Sequence, residues 1–214
     1  MVDIHCHILP EVDDGAWDME AAVAMARIAR DCGVKKIITT PHFKGDPGAL
    51  EGLGLFQYQL RLLQSRLKRE AVEVELLPGA EVLCVPQTLE LARSGSLPTL
   101  GTGRYVLTEF YFDAGAAFMD ETLQALRQMG YLPVVAHPER YGAVQRDPEL
   151  ASRWFHRGIA HVIASDAHSP QVRTTNLEPV RRWCLDHLGQ EYTKILLEDN
   201  PGRVAAGKAM RKVH

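Results

Sequence analysis

Six short apolar runs are spread along this chain, and each ends in a histidine, a glutamate or an aspartate. The first is Val2-Asp3-Ile4-His5-Cys6-His7. Val2 and Ile4 favour a strand, and alternate residues of a strand face the same side. His5 and His7 therefore point together while Cys6 points away, a spacing that lets two imidazoles clamp one metal ion. Residues 36–41 lead to His42, residues 72–77 lead through Pro78-Gly79 to Glu81, and residues 105–108 lead to Glu109. Residues 132–136 lead to His137, and residues 159–165 lead to Asp166 and His168. One or two such endings would only mark strands leaving a core. Six, all with nitrogen or carboxylate donors, predict a shared multinuclear metal centre.

Helical patterns separate these runs. Asp18 is placed to cap a helix running to Cys32, with Gly33 as its stop. Residues 43–55 carry Gly45, Gly48, Gly52 and Gly54 and predict a loop long enough to cover a site. Phe56, Leu60, Leu63 and Leu67 recur at helical spacing as a packing stripe. Further helices are expected over 86–93, 120–129, 147–156 (ending near Gly158) and 179–188, with Asn200-Pro201 opening the last. Strand–helix alternation throughout predicts α/β architecture with a parallel sheet. His5 and Asp166 come from the first and last strands. An open sheet would set them at opposite edges or need reordered strands, whereas a closed barrel brings all strand C-terminal ends to one face. The expectation is a distorted, small (β/α) barrel formed by residues 1–214 as one domain.

A net charge of −3 offers no basic footprint for nucleic acid or anionic membrane. No run reaches the length of a membrane span, and the acidic residue at position 3 does not suit a signal peptide. Cys6, Cys32, Cys84 and Cys184 lie far apart without a C-x-x-C pair, so buried free thiols in a reducing cytoplasm are expected. A cysteine-nucleophile phosphatase needs arginine six residues after its cysteine. Val12, Ile38, Glu90 and Gln190 stand there instead, which excludes that mechanism. Asp13 and Asp14 read equally well as turn formers and as ligands. His161, out of phase with Asp166, reads as packing, as do Trp17, Trp154 and Trp183. His156, His187 and His214 carry no site signal. Gly101-Thr102-Gly103 lacks the strand-before, helix-after context of a dinucleotide loop.

Asp3-Ile4-His5-Cys6-His7-Ile8-Leu9-Pro10 with Asp13-Asp14-Gly15, Thr40-Pro41-His42, Gly79-Ala80-Glu81, His137-Pro138-Glu139-Arg140-Tyr141 and Ala164-Ser165-Asp166-Ala167-His168 follow in order through nearly the whole chain. Together they resemble the PHP superfamily (polymerase and histidinol phosphatase). More narrowly, they resemble its bacterial branch of manganese-dependent protein-tyrosine phosphatases, which act in capsule and exopolysaccharide regulation. The resemblance implies a three-ion cluster, with Fe or Zn as alternatives to Mn, on a distorted seven-stranded barrel. His5, His7, Glu81 and Asp166 would hold one ion, and Glu81 would bridge to a second held by Glu109 and His137. His42, His168 and one aspartate of the 13–14 pair, Asp14 being the better candidate, would hold the third. Arg140 and Arg173 match the family's phosphate-binding arginines. Only 24 residues separate Arg140 from Ser165, where the family has a further strand–helix unit. Six strands are therefore expected here rather than seven.

Imidazole and carboxylate donors suit such ions, and adjacent ions supply a bound hydroxide at neutral pH as nucleophile. Arginines complete neutralisation of the phosphoryl oxygens. Phenolate leaves readily, so little acid help is needed, though His42 could supply a proton. The activity that the resemblance implies is hydrolysis of phosphotyrosine in a protein, a bacterial tyrosine kinase being the expected one, in the cytoplasm and compatible with an oligomer. Two alternatives remain. One is a histidinol-phosphate-type or other small-molecule phosphatase or phosphodiesterase, and the other is an inactive regulatory module.

Overall fold

β1 (Val2–Cys6) pairs in parallel with β2 (Lys36–Thr39), and β2 with β4 (Glu75–Pro78). Pro41 has no N–H to donate, and β2 stops just before it. The chain resumes as β3 (His42–Lys44). Similarly, β4 breaks at Gly79-Ala80 and resumes as β5 (Glu81–Leu83). A Cβ at Gly79 would stand 2.6 Å from the Ile38 side chain, so only glycine lets the two broken strands lie this close. β3 pairs with β5, β5 with β6 (Tyr105–Glu109), and β6 with β7 (Leu132–Val135), all in parallel. The two sheets, β1-β2-β4 and β3-β5-β6-β7, are thus one wall interrupted at the level of the candidate site.

The computed structural model describes residues 1–157, 159 and 161–211; Gly158, Ala160 and His214 lie outside the described residues. Among those described, the last stave of the wall is not a strand, against expectation. Its ends nonetheless close the ring. The Val135 N–H donates to Ile159 O (3.3 Å), the Asp166 N–H to His5 O (2.9 Å) and the His7 N–H to Ala167 O (2.8 Å). Cys6 and Ala167 form one parallel bridge. Between these points, other groups take what a strand ladder would use. Ser165 donates its N–H and Oγ–H to Asp3 (3.0 and 2.5 Å), the Ile163 N–H goes to Leu196 O, and Asn200 Nδ2 donates to His161 O. The result is a small, distorted (β/α) barrel whose staves follow chain order.

Helices cover the outside. α1 (Met19–Asp31) begins where Asp18 accepts from the Ala21 N–H, as expected. With α2 (Leu53–Arg69) it buries Ala22, Met25, Ala26, Leu63 and Leu67 against the outward faces of β1 and β2. α3 (Thr88–Ser94), α4 (Ala116–Gln128), α5 (Gly142–Arg146) and α6 (Glu149–His156) cover β5 to β7. The barrel interior is Ile4, Ile38, Leu107, Val134 and Ala136, closed off by Tyr105 and by Val204 and Ala205 of α8 (Asn200–Ala205).

Several expected boundaries shift. Residues 43–55 are not a loop: they form β3, a 3-10 turn at Pro47–Gly52 and the start of α2. α4 starts at Ala116, because good helix formers extend it back past Asp120. The helix expected over 147–156 is α6, starting after Pro148, and a short helix not expected from the sequence, α5, precedes it. α7 (Glu178–Lys194) passes through Gly189 at φ 79° and continues by a π turn into α8, so Asn200 is no cap. Its buried amide instead ties His161 to Arg211. Trp154 is buried and donates to Asp120, but Trp17 and Trp183 are more than half exposed, against the packing expected of them. Trp183 stacks on His187 at 4.5 Å on the outer side of α7. His161 is buried beside Phe155, as expected of a packing residue. No described helix is long and apolar enough to cross a membrane.

Asp3 holds the last stave to β1, so Asp3→Ala strands the donors of Ser165 and His5 in a buried position. Urea unfolding of that variant should show a loss of about 2 kcal/mol or more. A change below about 0.5 kcal/mol would mean the closure does not depend on Asp3.

Candidate metal centre

The wall delivers its polar residues to one face. His5 and His7 project together from the end of β1, their Nε2 atoms 3.3 Å apart, while Cys6 turns outward into the cluster beneath α1. The strand breaks aim His42 and Glu81, the first residues of β3 and β5, at the same point. Glu109 ends β6, His137 follows β7, and Asp166 and His168 follow the last stave.

Glu81 stands at the centre, fully buried. Its Oε2 lies 3.1 Å from His5 Nε2, 3.2 Å from His7 Nε2 and 3.2 Å from His42 Nδ1. None of these contacts is aligned as a hydrogen bond, and Oε2 is a buried oxygen with no partner. Acceptors and lone-pair nitrogens converging on one space, unbonded to each other, fit a cation between them. Three sets have donor atoms all within 4.8 Å of one another: His5, His7, Glu81 and Asp166; His7, Asp14, His42 and His168; and His42, Glu81 and Glu109. His137 Nε2 sits 2.9 Å from Glu81 Oε1 and 3.6 Å from Glu109 Oε1. Every residue expected at the site is therefore brought to it. The sharing differs from expectation, since His7 and His42 each join two sets, and His42 Nδ1 joins His137 at the Glu81–Glu109 pair, 3.2 Å from Glu81 Oε2 and 3.6 Å from Glu109 Oε2.

The adjacent acids divide their work. Asp14, largely exposed, faces His42 Nε2 at 3.3 Å and His168 Nε2 at 3.5 Å. Asp13 Oδ2 lies 2.7 Å from His7 Nδ1 and accepts from the His42 N–H, so it orients one ring and one strand start. This fold-back needs Gly15, where a Cβ would fall 2.0 Å from His7 O. Asp3 acts behind the site. Fully buried, it accepts from the N–H groups of His5 and Ser165. Sequence reasoning gave Asp3 no role, though an acid within an apolar strand was a visible cue.

Asp166 links the cluster to the two arginines. Its Oδ1 faces His5 Nε2 (3.2 Å) and His7 Nε2 (3.6 Å), while its Oδ2 takes Arg140 Nη2 at 2.9 Å and Arg173 Nη2 at 2.5 Å. His137, Asp166 and Arg173 all hold positive φ (31°, 50° and 53°), a strained backbone concentrated at this site. A cleft of about 390 Å³ runs from Arg140, His137 and Asp166 down between β7 and residues 162–166, along the unpaired last stave.

Burial alone would lower the His7 pKa, but Asp13 and Glu81 outweigh it and raise it to about 9. Burial would raise the Glu81 carboxyl, yet the facing His5, His137 and His7 hold it far below the carboxylate range. Asp166 is likewise lowered, the burial effect being outweighed by His5 and Arg173. His42 is raised, chiefly by Glu109, and His168 is lowered by burial and by His7 and Arg173.

A parallel barrel whose strand ends gather four or more imidazoles and carboxylates into groups that could hold cations defines the class: a metal-dependent enzyme scaffold. The chain belongs to the CpsB/CapC family, described as capsular polysaccharide synthesis proteins, which matches residues 1–160. It is 35% identical to the tyrosine-protein phosphatase YwqE of Bacillus subtilis, over 93% of this chain and 89% of that one. With the tyrosine-protein phosphatase CpsB of Streptococcus pneumoniae it shares 26%, over 95% and 98%. The fold matches a solved chain from a study of YwqE of Bacillus subtilis and CpsB of Streptococcus pneumoniae, described as unique metal-dependent tyrosine phosphatases, with a TM-score of 0.86 at 27% identity, covering 100% of this chain and 97% of the other. The YwqE alignment runs over 233 positions, more than the 214 residues of this chain, so part of the relative has no counterpart here.

The raised His7 pKa fixes a pH dependence. A metal ion needs the neutral imidazole, so uptake must expel the proton that His7 holds below about pH 9. Apparent affinity in a chelator competition should therefore rise with pH, by roughly tenfold per unit, and level off above about 9. The metal-free protein runs the other way. Protonated His7 stabilises it fully below about 6.5, and that contribution fades as pH rises through about 9. A flat affinity profile would remove His7 from the ligand set.

Proposed function

We propose that this chain is a metal-dependent protein-tyrosine phosphatase acting in the control of capsule or exopolysaccharide synthesis, with residues 1–214 as one catalytic domain. The observation that carries the reading is the Glu81 carboxylate, buried among three imidazole nitrogens with one oxygen unbonded. The close relatives named as tyrosine phosphatases support the choice of substrate. The protein partner is then a phosphotyrosine protein, a bacterial tyrosine kinase being the proposed one, in the cytoplasm.

His5, His7, Glu81 and Asp166 would hold one ion, Glu81, Glu109 and His137 with His42 beside them a second, and Asp14, His42 and His168 a third. Manganese suits this mixed imidazole and carboxylate set. Such ions supply Lewis acidity and a water acidic enough to attack at neutral pH. The chain itself does the rest. Arg140 and Arg173 already meet on one oxygen of Asp166, and from there both guanidinium groups can turn to an arriving phosphoryl group. His42 turns Nε2 toward Asp14 and Nδ1 toward Glu81 and Glu109, so with ions in place it would serve as a ligand and not as the donor of a proton to the departing phenolate. Cysteine chemistry is absent from the arrangement. Cys6 and Cys84 are buried, with thiols pushed up by that burial.

Hydrolysis of a phosphotyrosine peptide should vanish with chelator, return with Mn and survive thiol alkylation. Inactivation of the loaded, folded enzyme by alkylation would count against the reading. A clear preference for small phosphate monoesters over phosphotyrosine would favour a small-molecule phosphatase.

Arg140→Lys and Arg173→Lys test the phosphate grip. Each should lower kcat/KM about ten- to a hundredfold, since lysine cannot make the planar two-pronged contact, while metal content stays constant. Unchanged efficiency would strip the arginines of this role, and lost metal would recast them as supports for Asp166.

A further inference from the structure

Tyr111 and Phe112 follow Glu109 at the end of β6, and each is 55% exposed. Scattered exposed rings are common on protein surfaces. This pair differs in being held rigidly beside the centre. Phe110, buried, packs edge-on against Phe118 and Tyr141 and donates its N–H to the Tyr141 hydroxyl. The Phe112 carbonyl accepts from the Gly142 N–H (2.8 Å), and the Tyr111 carbonyl from the Ala114 N–H (2.9 Å). The backbone is thus tied to the segment that carries Arg140, while the two side chains are left in water. The Phe112 ring stands 6.1 Å from the His137 imidazole at 69°, and 6.3 Å from the Tyr141 ring.

We propose that Phe112, with Tyr111 beside it, is the wall that receives the aryl group of the substrate and so selects aryl over alkyl phosphate esters. The proposal rests on the phosphatase reading of the metal centre and deepens it. A phosphoryl group held between the cluster and Arg140 must send its ester substituent out over the rim. The arginine side of that rim is charged, with Arg140, Arg173 and Glu139; both guanidinium groups are engaged by Asp166, and the exposed apolar side chain there, Val172, carries no ring. The β6 side offers Phe112, next to His137. On the proposal a phenyl group on the ester oxygen pairs with that ring, aromatic pairs attracting at roughly 4.5–7 Å between centroids. A phosphoserine side chain is too short and has no ring to place. Tight backbone anchoring matters, because a side chain on a fixed backbone has less freedom to lose when a second ring stacks on it.

The test uses the full-length, metal-loaded protein and two ligands that are not hydrolysed, phenylphosphonate and methylphosphonate, in titration calorimetry. Wild type should bind phenylphosphonate about three- to tenfold more tightly. Phe112→Ala should erase that difference by weakening phenylphosphonate alone, and Phe112→Trp should keep it. Equal binding by wild type, a preference that survives Phe112→Ala, or parallel weakening of both ligands would each overturn the proposal. So would loss of the preference in Val162→Phe, which fills the cleft beside the last stave while leaving Phe112 in place. Failure of the wider reading looks different: the preference would persist in a protein that hydrolyses no phosphotyrosine peptide. Binding of neither phosphonate would overturn both.

Discussion

The arrangement depends on one carboxylate taken out of water. Glu81 is buried at the meeting point of His5, His7, His42 and His137, and one of its oxygens has no hydrogen-bond partner. A buried charge is costly unless paired or coordinated, so this oxygen accounts for much of what surrounds it. β1 must end with two histidines on one side. β2 and β4 must both break, or the residues beginning β3 and β5 would stay in the ladder rather than face the cluster. Glu109 and His137 complete the ring from β6 and β7.

Closure of the barrel is the second constraint. The last stave has a short connection behind it and pairs poorly with β7, so side chains replace the missing ladder. Asp3 and Asn200 hold it from two sides, each using a buried polar group for backbone contacts. That substitution lets the chain reach Asp166 at the right place. It also leaves a cleft beside the cluster, where a fully paired strand would have made solid wall. Asp166 then serves both sides, one oxygen toward the histidines and the other toward Arg140 and Arg173.

Much of this was legible from the chain. Two-residue alternation placed His5 and His7 together and sent Cys6 outward, because strand geometry is local. The apolar runs located the staves, and their endings named the histidines, Glu81, Glu109 and Asp166 of the site, while Asp14, Arg140 and Arg173 reach it from connecting segments. Less local features were missed. Asp13 and Asp14 are chemically identical neighbours, and only the fold-back at Gly15 assigns one to His7 and the other to His42 and His168. Trp17 and Trp183 read as packing residues from the sequence, yet both are more than half exposed. Asn200 looked like a helix cap, but a π turn carries the chain straight through it.

What the sequence determined by itself was the period of its strands, the donors at their ends and the absence of a cysteine nucleophile. These follow from short-range geometry and residue chemistry, which need no knowledge of neighbours. Only the tertiary structure decided which donors share a space, which acid supports and which faces the cluster, and how a barrel with one irregular stave closes. Those outcomes rest on contacts between residues as far apart as Asp3 and Ser165, or Asp13 and His42. No local pattern encodes such pairings, because they arise when burial forces each polar group to find its partner across the fold.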